Sequence, residues 1–462
     1  MQPFYDLVDQ VSAFIWGGPM IILLLGTGLY FMIRLKGRPF LRLIPAFGAL
    51  WKGRGTEGRE GGGEISPWNA LSTALSGQVG TGNLAGVATA ITLGGPGAIF
   101  WMWITALVGM AAAFAESSLA VKFRETHEEG HVHGGPMFYI KNGLGKSWGW
   151  LAVLFSVGTL FSALATGNMI QANSIANGIS AATNSPNWIV GVIVAALAFA
   201  VIIGGIKSIG SVAGKVVPAM ALGYIVIALI VLVLNADKIP AAFGMIFGYA
   251  FGLQEAAGGV AGYAVLQVVR FGVERGLFSN EAGQGSTAIA HAASKTDNPV
   301  RQGEIAMLGT FIDTIVICTM TALVILVVQG EFPNGDGGVV EYAWQSAELQ
   351  GIAVTTAAYS VGIPGGQYLI ATVLAVFAFT TILGWSYYAE QAIIYLFGDK
   401  AAKPFRYVWV VFIFIGSLQQ VDFIWKLGGI ANAAMATPNL IALLALSGVV
   451  IAMTSEEDAK NR

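Results

Sequence analysis

Apolar residues run along this chain in long blocks and do not alternate with polar ones. A bilayer span needs about 20 mostly apolar residues, and eleven stretches qualify, from Ser12–Ile33 through to Gly429–Met453. The polar stretches between them leave no room for a soluble domain of useful size. The pattern predicts an all-α membrane protein of eleven transmembrane helices, a single integral domain over 1–462. Composition agrees: 55% of residues are hydrophobic and 11% charged, against roughly 25% charged in an average soluble domain.

Charge narrows the reading. The net charge is -2, and the basic residues are scattered through short loops and form no stripe, which argues against a nucleic-acid partner. They do set the orientation, because short loops rich in Lys and Arg stay cytoplasmic. The loop after the first span carries Arg34, Lys36, Arg38, Arg42, Lys52, Arg54 and Arg59; counted in alternate loops from there, 20 of the 24 basic residues fall inside. Only Lys238 and Lys426 fall outside, and Arg270 and Arg275 lie within a span. The N-terminus is expected outside and the C-terminus in the cytoplasm, in a multi-pass cell (inner) membrane protein. With no basic segment ahead of it, the first span reads as a retained helix and not as a cleaved signal peptide. Cys318 has no second cysteine to pair with, so neither a disulfide nor a Cys-based metal site is available.

Two spans are interrupted. An unpaired backbone N–H or C=O in hydrocarbon costs several kcal/mol unless it lines a cavity, so an interruption points to a cavity. The second span, Trp68–Leu93, contains Ser76-Gly77-Gln78-Val79-Gly80-Thr81-Gly82-Asn83. Close helix packing asks for small residues, but not for Gln78 and Asn83. A second interruption, Gly276-Leu277-Phe278-Ser279-Asn280-Glu281-Ala282-Gly283-Gln284-Gly285, follows five spans later; a loop at the membrane surface is the competing reading. Spans two to six (68–234) and seven to eleven (256–453) then form two five-span units of opposite orientation, each broken in its first member, with 12–33 as an extra N-terminal helix. Such a 5+5 inverted repeat carries its binding site at the bilayer midplane.

Broken helices offer free N–H groups to an anion and free C=O groups to a cation, and a zwitterion needs both. Its carboxylate is expected near Gly80, Thr81 and Gly82, its ammonium near Ser279 and Asn280. The second span has no Asp or Glu, so a cation held there would rest on neutral oxygens, which suits Na+ better than a proton. A polar cluster in the ninth span, with Thr380, Thr381, Gly384, Trp385 and Ser386, adds hydroxyls; Thr381 and Trp385, four apart, share a helix face. Gly77, Asn83, Thr380, Thr381 and Ser386 are the candidate Na+ ligands. Back-bonding to helix carbonyls is the alternative use of Thr380 and Thr381. Asn168, Gln171 and Asn173 in the fourth span read as interhelical hydrogen-bonding groups.

These residues resemble the alanine or glycine:cation symporters, the sodium:alanine symporter family. The most specific stretch is Gly94-Gly95-Pro96-Gly97-Ala98-Ile99-Phe100-Trp101-Met102-Trp103-Ile104-Thr105-Ala106-Leu107-Val108-Gly109; Val79–Asn83, Gly134–Met137, Phe278–Gly283 and Ile382–Ser386 extend it over nearly the whole chain. The resemblance implies a fold similar to the bacterial leucine transporter and uptake of alanine or glycine coupled to Na+. It also implies that Gln78, Gly80, Thr381 and Trp385 lie at the substrate, with the Trp385 indole limiting its side chain. Leu164 stands where the family often has an aromatic residue, so a carrier of a larger neutral amino acid such as serine or glutamine is one alternative. A proton-coupled carrier is another, since Glu116 and Asp313 fall inside apolar helices.

Other motifs carry less. Gly80-x-Gly82-x-x-x-Gly86 has one residue too many for a dinucleotide loop and follows no strand, so no organic cofactor is expected. His127-Glu128-Glu129-Gly130-His131-Val132-His133 contains metal-ligand residue types but sits in a polar loop, where a solvated charge cluster is the default. A passive pore would conduct without saturating, and an enzyme lacks a nucleophile–base–orienter set. The expected partners are the amino acid, Na+ and the bilayer, with no obligatory protein partner evident.

Overall fold

Chain continuity in lipid requires backbone groups to be satisfied within each segment, and the apolar blocks fold accordingly as helices. The structure is a computed structural model that describes residues 2–54, 62–126, 131–252, 261–335, 337–419 and 422–460. The predicted first span is two helices, α1 (Gln2–Trp16) and α2 (Pro19–Arg34), parted at Gly17 and Gly18 because Pro19 opens a helix but cannot continue one. The short helix α3 (Leu43–Lys52) follows. The broken second span is α4 (Pro67–Gln78), a π-helical turn Gly82–Gly86 and α5 (Val87–Gly94). After it come α6 (Ala98–Lys122), then α7 (Gly149–Ser162) running through a π-helical stretch Ala163–Met169 into α8 (Ile170–Thr183). Helices α9 (Asn187–Ile202), α10 (Gly205–Leu234) and α11 (Ile239–Ala250) complete the first part of the chain.

The second part opens on another broken pair, α12 (Ala261–Asn280) and α13 (Ser286–Ala292). Helix α14 (Pro299–Thr310) continues through a π-helical stretch Phe311–Cys318 into α15 (Thr319–Val327). Between residues 330 and 363 come a two-residue hairpin, Phe332–Pro333 with Val339–Val340, and the helix α16 (Ile352–Gly362). The chain then runs through α17 (Gly366–Phe397), α18 (Ala402–Leu418), α19 (Asp422–Ala445) and α20 (Ser447–Lys460). The expected last span, 429–453, therefore crosses the boundary between two helices, the second of which runs on to Lys460.

Among the described residues, eight helical segments are long and apolar enough to cross a membrane. The three other stretches that hydropathy selects are shorter units: residues 67–94 and 261–292 are each divided by a break, and α9 has 16 residues, about 24 Å at 1.5 Å per residue. Burial is ordered for lipid. Val192, Ile193 and Leu197 on α9 and Leu222, Val226, Leu229 and Val233 on α10 are exposed, forming an apolar outer face. At the centre, every residue of α4 from Ala70 to Gln78 is buried, with α10, α13, α14 and α17 packed against it. The breaks are thus enclosed by protein, the condition under which irregular backbone survives at membrane depth.

A buried ion cluster ties the two ends of the chain together. Glu304 Oε1 on α14 accepts from Arg38 Nη2 at 2.8 Å and Arg42 Nε at 2.9 Å, while Arg38 Nη1 also donates to Asp458 on α20. Removing one partner of a buried pair strands the other. Glu304→Ala is therefore expected to lower stability by about 3–5 kcal/mol, read as a clear fall in Tm in detergent; an unchanged Tm would show that the cluster is dispensable. Of the histidine-rich loop, residues 127–130 lie outside the described residues. His131 Nδ1 lies 3.4 Å from Glu64 Oε2, and His133 sits between Gln391 Oε1 at 3.1 Å and Asp399 Oδ1 at 3.0 Å. Among the described residues no three His, Cys, Asp or Glu side chains come together in a group that could hold a metal.

Candidate functional site

Helix α4 ends because Val79 turns to an extended conformation, with φ -81° and ψ 93°, one residue before Gly80. The chain re-enters helix at Thr81 as a widened π turn, so the amides of the new first turn have no intrahelical acceptors. Side chains supply them. Gly80 N–H donates to Asn83 Oδ1 at 2.9 Å, and Thr81 N–H to Gln171 Oε1 on α8 at 3.3 Å; Gln171 Nε2 returns a bond to Thr81 Oγ1 at 3.1 Å.

The second break is narrower than expected. Gly276–Asn280 is helical, so Ser279 and Asn280 form the last turn of α12 and only Glu281–Gly285 is unwound. Asn280 ends the helix by accepting from Ala282 N–H at 3.0 Å, and Glu281, Gly283 and Gly285 all take left-handed conformations, with φ 57°, 86° and 83°. A glutamate in that region costs about 1–2 kcal/mol, and the contacts around it explain why it is held there. Glu281 Oε1 accepts from Trp385 Nε1 at 2.8 Å and Oε2 from Ser286 Oγ at 2.6 Å.

The two breaks meet. Gln78 Nε2 donates to the Asn280 carbonyl at 2.5 Å, and a Cβ on Gly82 would lie 3.3 Å from Ser279 Cα. Between them is a small buried cavity with free room for about one water-sized sphere. Gly77, Gln78, Gly80 and Gly82 from the first break line it, with Phe278 and Glu281 from the second and Thr381 and Trp385 from α17. Thr166, Gln171 and Asn432 close the remaining side. Thr381 Oγ1 lies 3.3 Å from the Val79 carbonyl and 3.1 Å from the Phe377 carbonyl, which sets it at the mouth of the first break. The Tyr388 hydroxyl is buried without a hydrogen-bond partner among the described residues and lies 3.0 Å from where a Cβ on Gly77 would stand.

Not every expected residue reaches this cavity. Ser279 Oγ donates to Asp313 Oδ2 at 2.8 Å and Asn280 Nδ2 to Thr314 Oγ1 at 3.2 Å, both away from it. Asn83 Nδ2 donates to Asp313 Oδ1 at 2.6 Å. Thr380 Oγ1 bonds the Phe377 carbonyl at 2.9 Å with Met220 Sδ beside it, and Ser386 Oγ bonds the Leu383 carbonyl at 2.6 Å. These two hydroxyls take the back-bonding role. Leu164 packs with the core and Thr166 is the lining residue of its segment. The second half of the chain also brings carboxylates to the first break: Asp313 touches Asn83, and Glu281 lines the cavity.

Sequence reasoning missed Glu281, Asn432 and Gly167 as parts of the site. A Cβ on Gly167 would stand 2.4 Å from Trp385 Cγ, so this glycine seats the indole. Glu116, singled out by its place in an apolar helix, is joined to the second break through Asn439, whose Nδ2 donates to Glu116 Oε1 at 2.6 Å and to the Gly283 carbonyl at 2.9 Å.

A sequence profile described as the sodium:alanine symporter family matches residues 1–462. The chain belongs to this family. It is 42% identical to the sodium/alanine symporter AgcS of Methanococcus maripaludis over 99% of both chains. An uncharacterized transporter of Haemophilus influenzae is 43% identical over 98% of this chain and 95% of its own length. GlnT of Bacillus subtilis, named a probable sodium/glutamine symporter, is 36% identical over 96% of this chain and 88% of its own. The protein is a multi-pass membrane symporter of the sodium:amino-acid class.

Proposed function

We propose that this protein imports alanine or glycine together with Na+ by alternating access, binding both where the two breaks meet. The observation that carries this reading is a small cavity lined by both broken segments, with Glu281 of the second break and Gly77, Gly80 and Gly82 of the first in its wall. The substrate carboxylate takes the place of Gln171 Oε1 on the Thr81 amide and faces that amide and Gly82, while its ammonium faces Glu281 and the carbonyl end of α12, whose dipole is negative there. Na+ sits at the first break against the carbonyls of Gly77 and Val79 and Thr381 Oγ1, a set of neutral oxygens suited to a weakly held monovalent ion. Bound side by side, each stabilises the other's site, and that mutual effect is the coupling.

The architecture that serves this mechanism is eleven spans: the N-terminal helix over 12–33 and two inverted five-span halves over 68–234 and 256–453, with the N-terminus outside and the C-terminus in the cytoplasm of the cell (inner) membrane. The contracted cavity and the indole of Trp385 across it support a small side chain, because a larger one must displace a packed ring at a cost of about 1–3 kcal/mol. The reading of a larger cargo rests on the relative named for glutamine. A proton-coupled reading draws on Glu281, Asp313 and Glu116, three carboxyl groups buried beside the breaks.

Uptake of labelled alanine into proteoliposomes distinguishes these. An inward Na+ gradient is expected to drive accumulation that excess glycine abolishes and glutamine leaves unchanged. Accumulation driven by a pH gradient with no Na+ would replace Na+ by H+, and competition by glutamine equal to that by glycine would overturn the size argument.

A further inference from the structure

We propose that the basic groove between α3 and the start of α14 binds the headgroup of an anionic phospholipid. Two adjoining cavities, of about 410 and 380 Å³, open here and share Ala49, Lys52, Asn298 and Arg301 in their walls; the size is that of ordinary ligand pockets, about 300–1,000 Å³. The acidic groups that face the groove are already engaged. Glu304 is held by Arg38 and Arg42, Glu457 Oε1 accepts from Asn298 Nδ2 at 2.8 Å, and Asp297 lies 3.7 Å from Arg124. Lys52, Lys295 and Arg301, by contrast, have no side-chain partner among the described residues. The basic side chains lining the two cavities, Arg38, Arg42, Lys52, Lys295 and Arg301, outnumber the acidic ones, Glu304, Glu457 and Asp297, by two, and the groove is built to take an anion.

Helix α3 says which anion. Its residues fall into three stripes at helical spacing. Ala46 and Leu50 are buried against α14. Pro45, Gly48, Ala49 and Lys52 form the groove wall. Ile44, Phe47 and Trp51 project outward, exposed at 84%, 40% and 67%, and the chain just before them exposes Leu41 as well. In a membrane protein such a stripe lies in the acyl boundary with its tryptophan at headgroup level. Arg54 stacks on the Trp51 ring at 4.5 Å, as a cation held at that level does. A groove opening beside this stripe lies at the height of lipid phosphates, and basic pockets between helices at that height take anionic headgroups. A Cβ on Gly48 would meet nothing within 4 Å, so the wall leaves room for a headgroup to enter.

The test is thermal unfolding of the full chain in a neutral maltoside detergent, with dioleoylphosphatidylglycerol, dioleoylphosphatidylcholine or inorganic phosphate added at equal concentration. Phosphatidylglycerol is expected to raise Tm by roughly 2–4 °C at about a hundredfold its Kd, and the other two to raise it by less than a quarter of that. The double variant Lys52→Glu/Arg301→Glu is expected to lose the rise; should that pair fail to fold, Lys52→Gln/Arg301→Gln takes its place and is expected to lose at least half of it. An equal rise in the folded variant, no rise in the unaltered protein, or a rise with inorganic phosphate as large as with the lipid would each overturn the proposal.

Discussion

Glu281→Gln is expected to weaken alanine binding by about 10- to 150-fold while leaving the protein folded. The side chain keeps its shape, the left-handed backbone at 281 bears the same strain with either residue, and the amide oxygen still accepts from Trp385 Nε1. What changes is charge. A hydrogen bond to a charged group contributes about 1.5–3 kcal/mol net, which converts to that range of affinity, and the ammonium of a buried amino acid has no other anion among the residues lining the cavity. Glu281→Ala is expected to cost more, since it also strands the Trp385 Nε1 and Ser286 Oγ donors in a site with little room for water. Scintillation proximity or calorimetry in detergent reads the affinity and Tm reads the fold. Wild-type affinity in a well-folded Glu281→Gln protein would remove the carboxylate from the substrate's surroundings and return the ammonium to helix carbonyls alone.

Much of the candidate site's placement is legible in the sequence because its signals are local. A run of three glycines with Gln78 and Asn83 inside an apolar span is visible in eight residues, and the structure breaks there, at Val79 and Gly80. Thr381 and Trp385 share a face by helix arithmetic, and both line the cavity with Gln78 and Gly80. The misses depend on partners far away in the chain. Ser279 was expected at the substrate, but α12 continues one turn further than its glycine content suggests and turns that hydroxyl to Asp313. Asn83 looked like an ion ligand until Asp313, 230 residues on, claimed its amide. Glu281 lay within the quoted second break, yet nothing local says that the residue after Asn280 will adopt a positive φ and point at a tryptophan 104 positions later. Gly167 carries even less signal, because what it accommodates is the face of that same indole.

Gly80→Ala tests the other wall. A Cβ there would stand 2.4 Å from Thr381 Oγ1 and 3.3 Å from Gln171 Oε1, and the first of these cannot yield cheaply: Thr381 is β-branched, restricted in χ1 within a helix, and bonded to the Phe377 carbonyl. Either α17 backs away or the break opens, and both displace Val79 O and the Thr81 amide from the positions proposed for Na+ and the substrate carboxylate. Overpacking of about 1–3 kcal/mol corresponds to a loss of roughly 5- to 150-fold in affinity, with a lower Tm. The double variant Gly80→Ala/Thr381→Ala separates packing from chemistry. Without Oγ1 the nearest atom of residue 381 is its Cβ, 3.4 Å from the new methyl, an ordinary contact, so Tm is expected to recover. Affinity for alanine and its dependence on Na+ are not, because the hydroxyl assigned to the ion is gone. Recovery of Na+-dependent binding along with Tm would mean that Thr381 only fills space, and the ion would then have to be sought on the Asp313 side of the break.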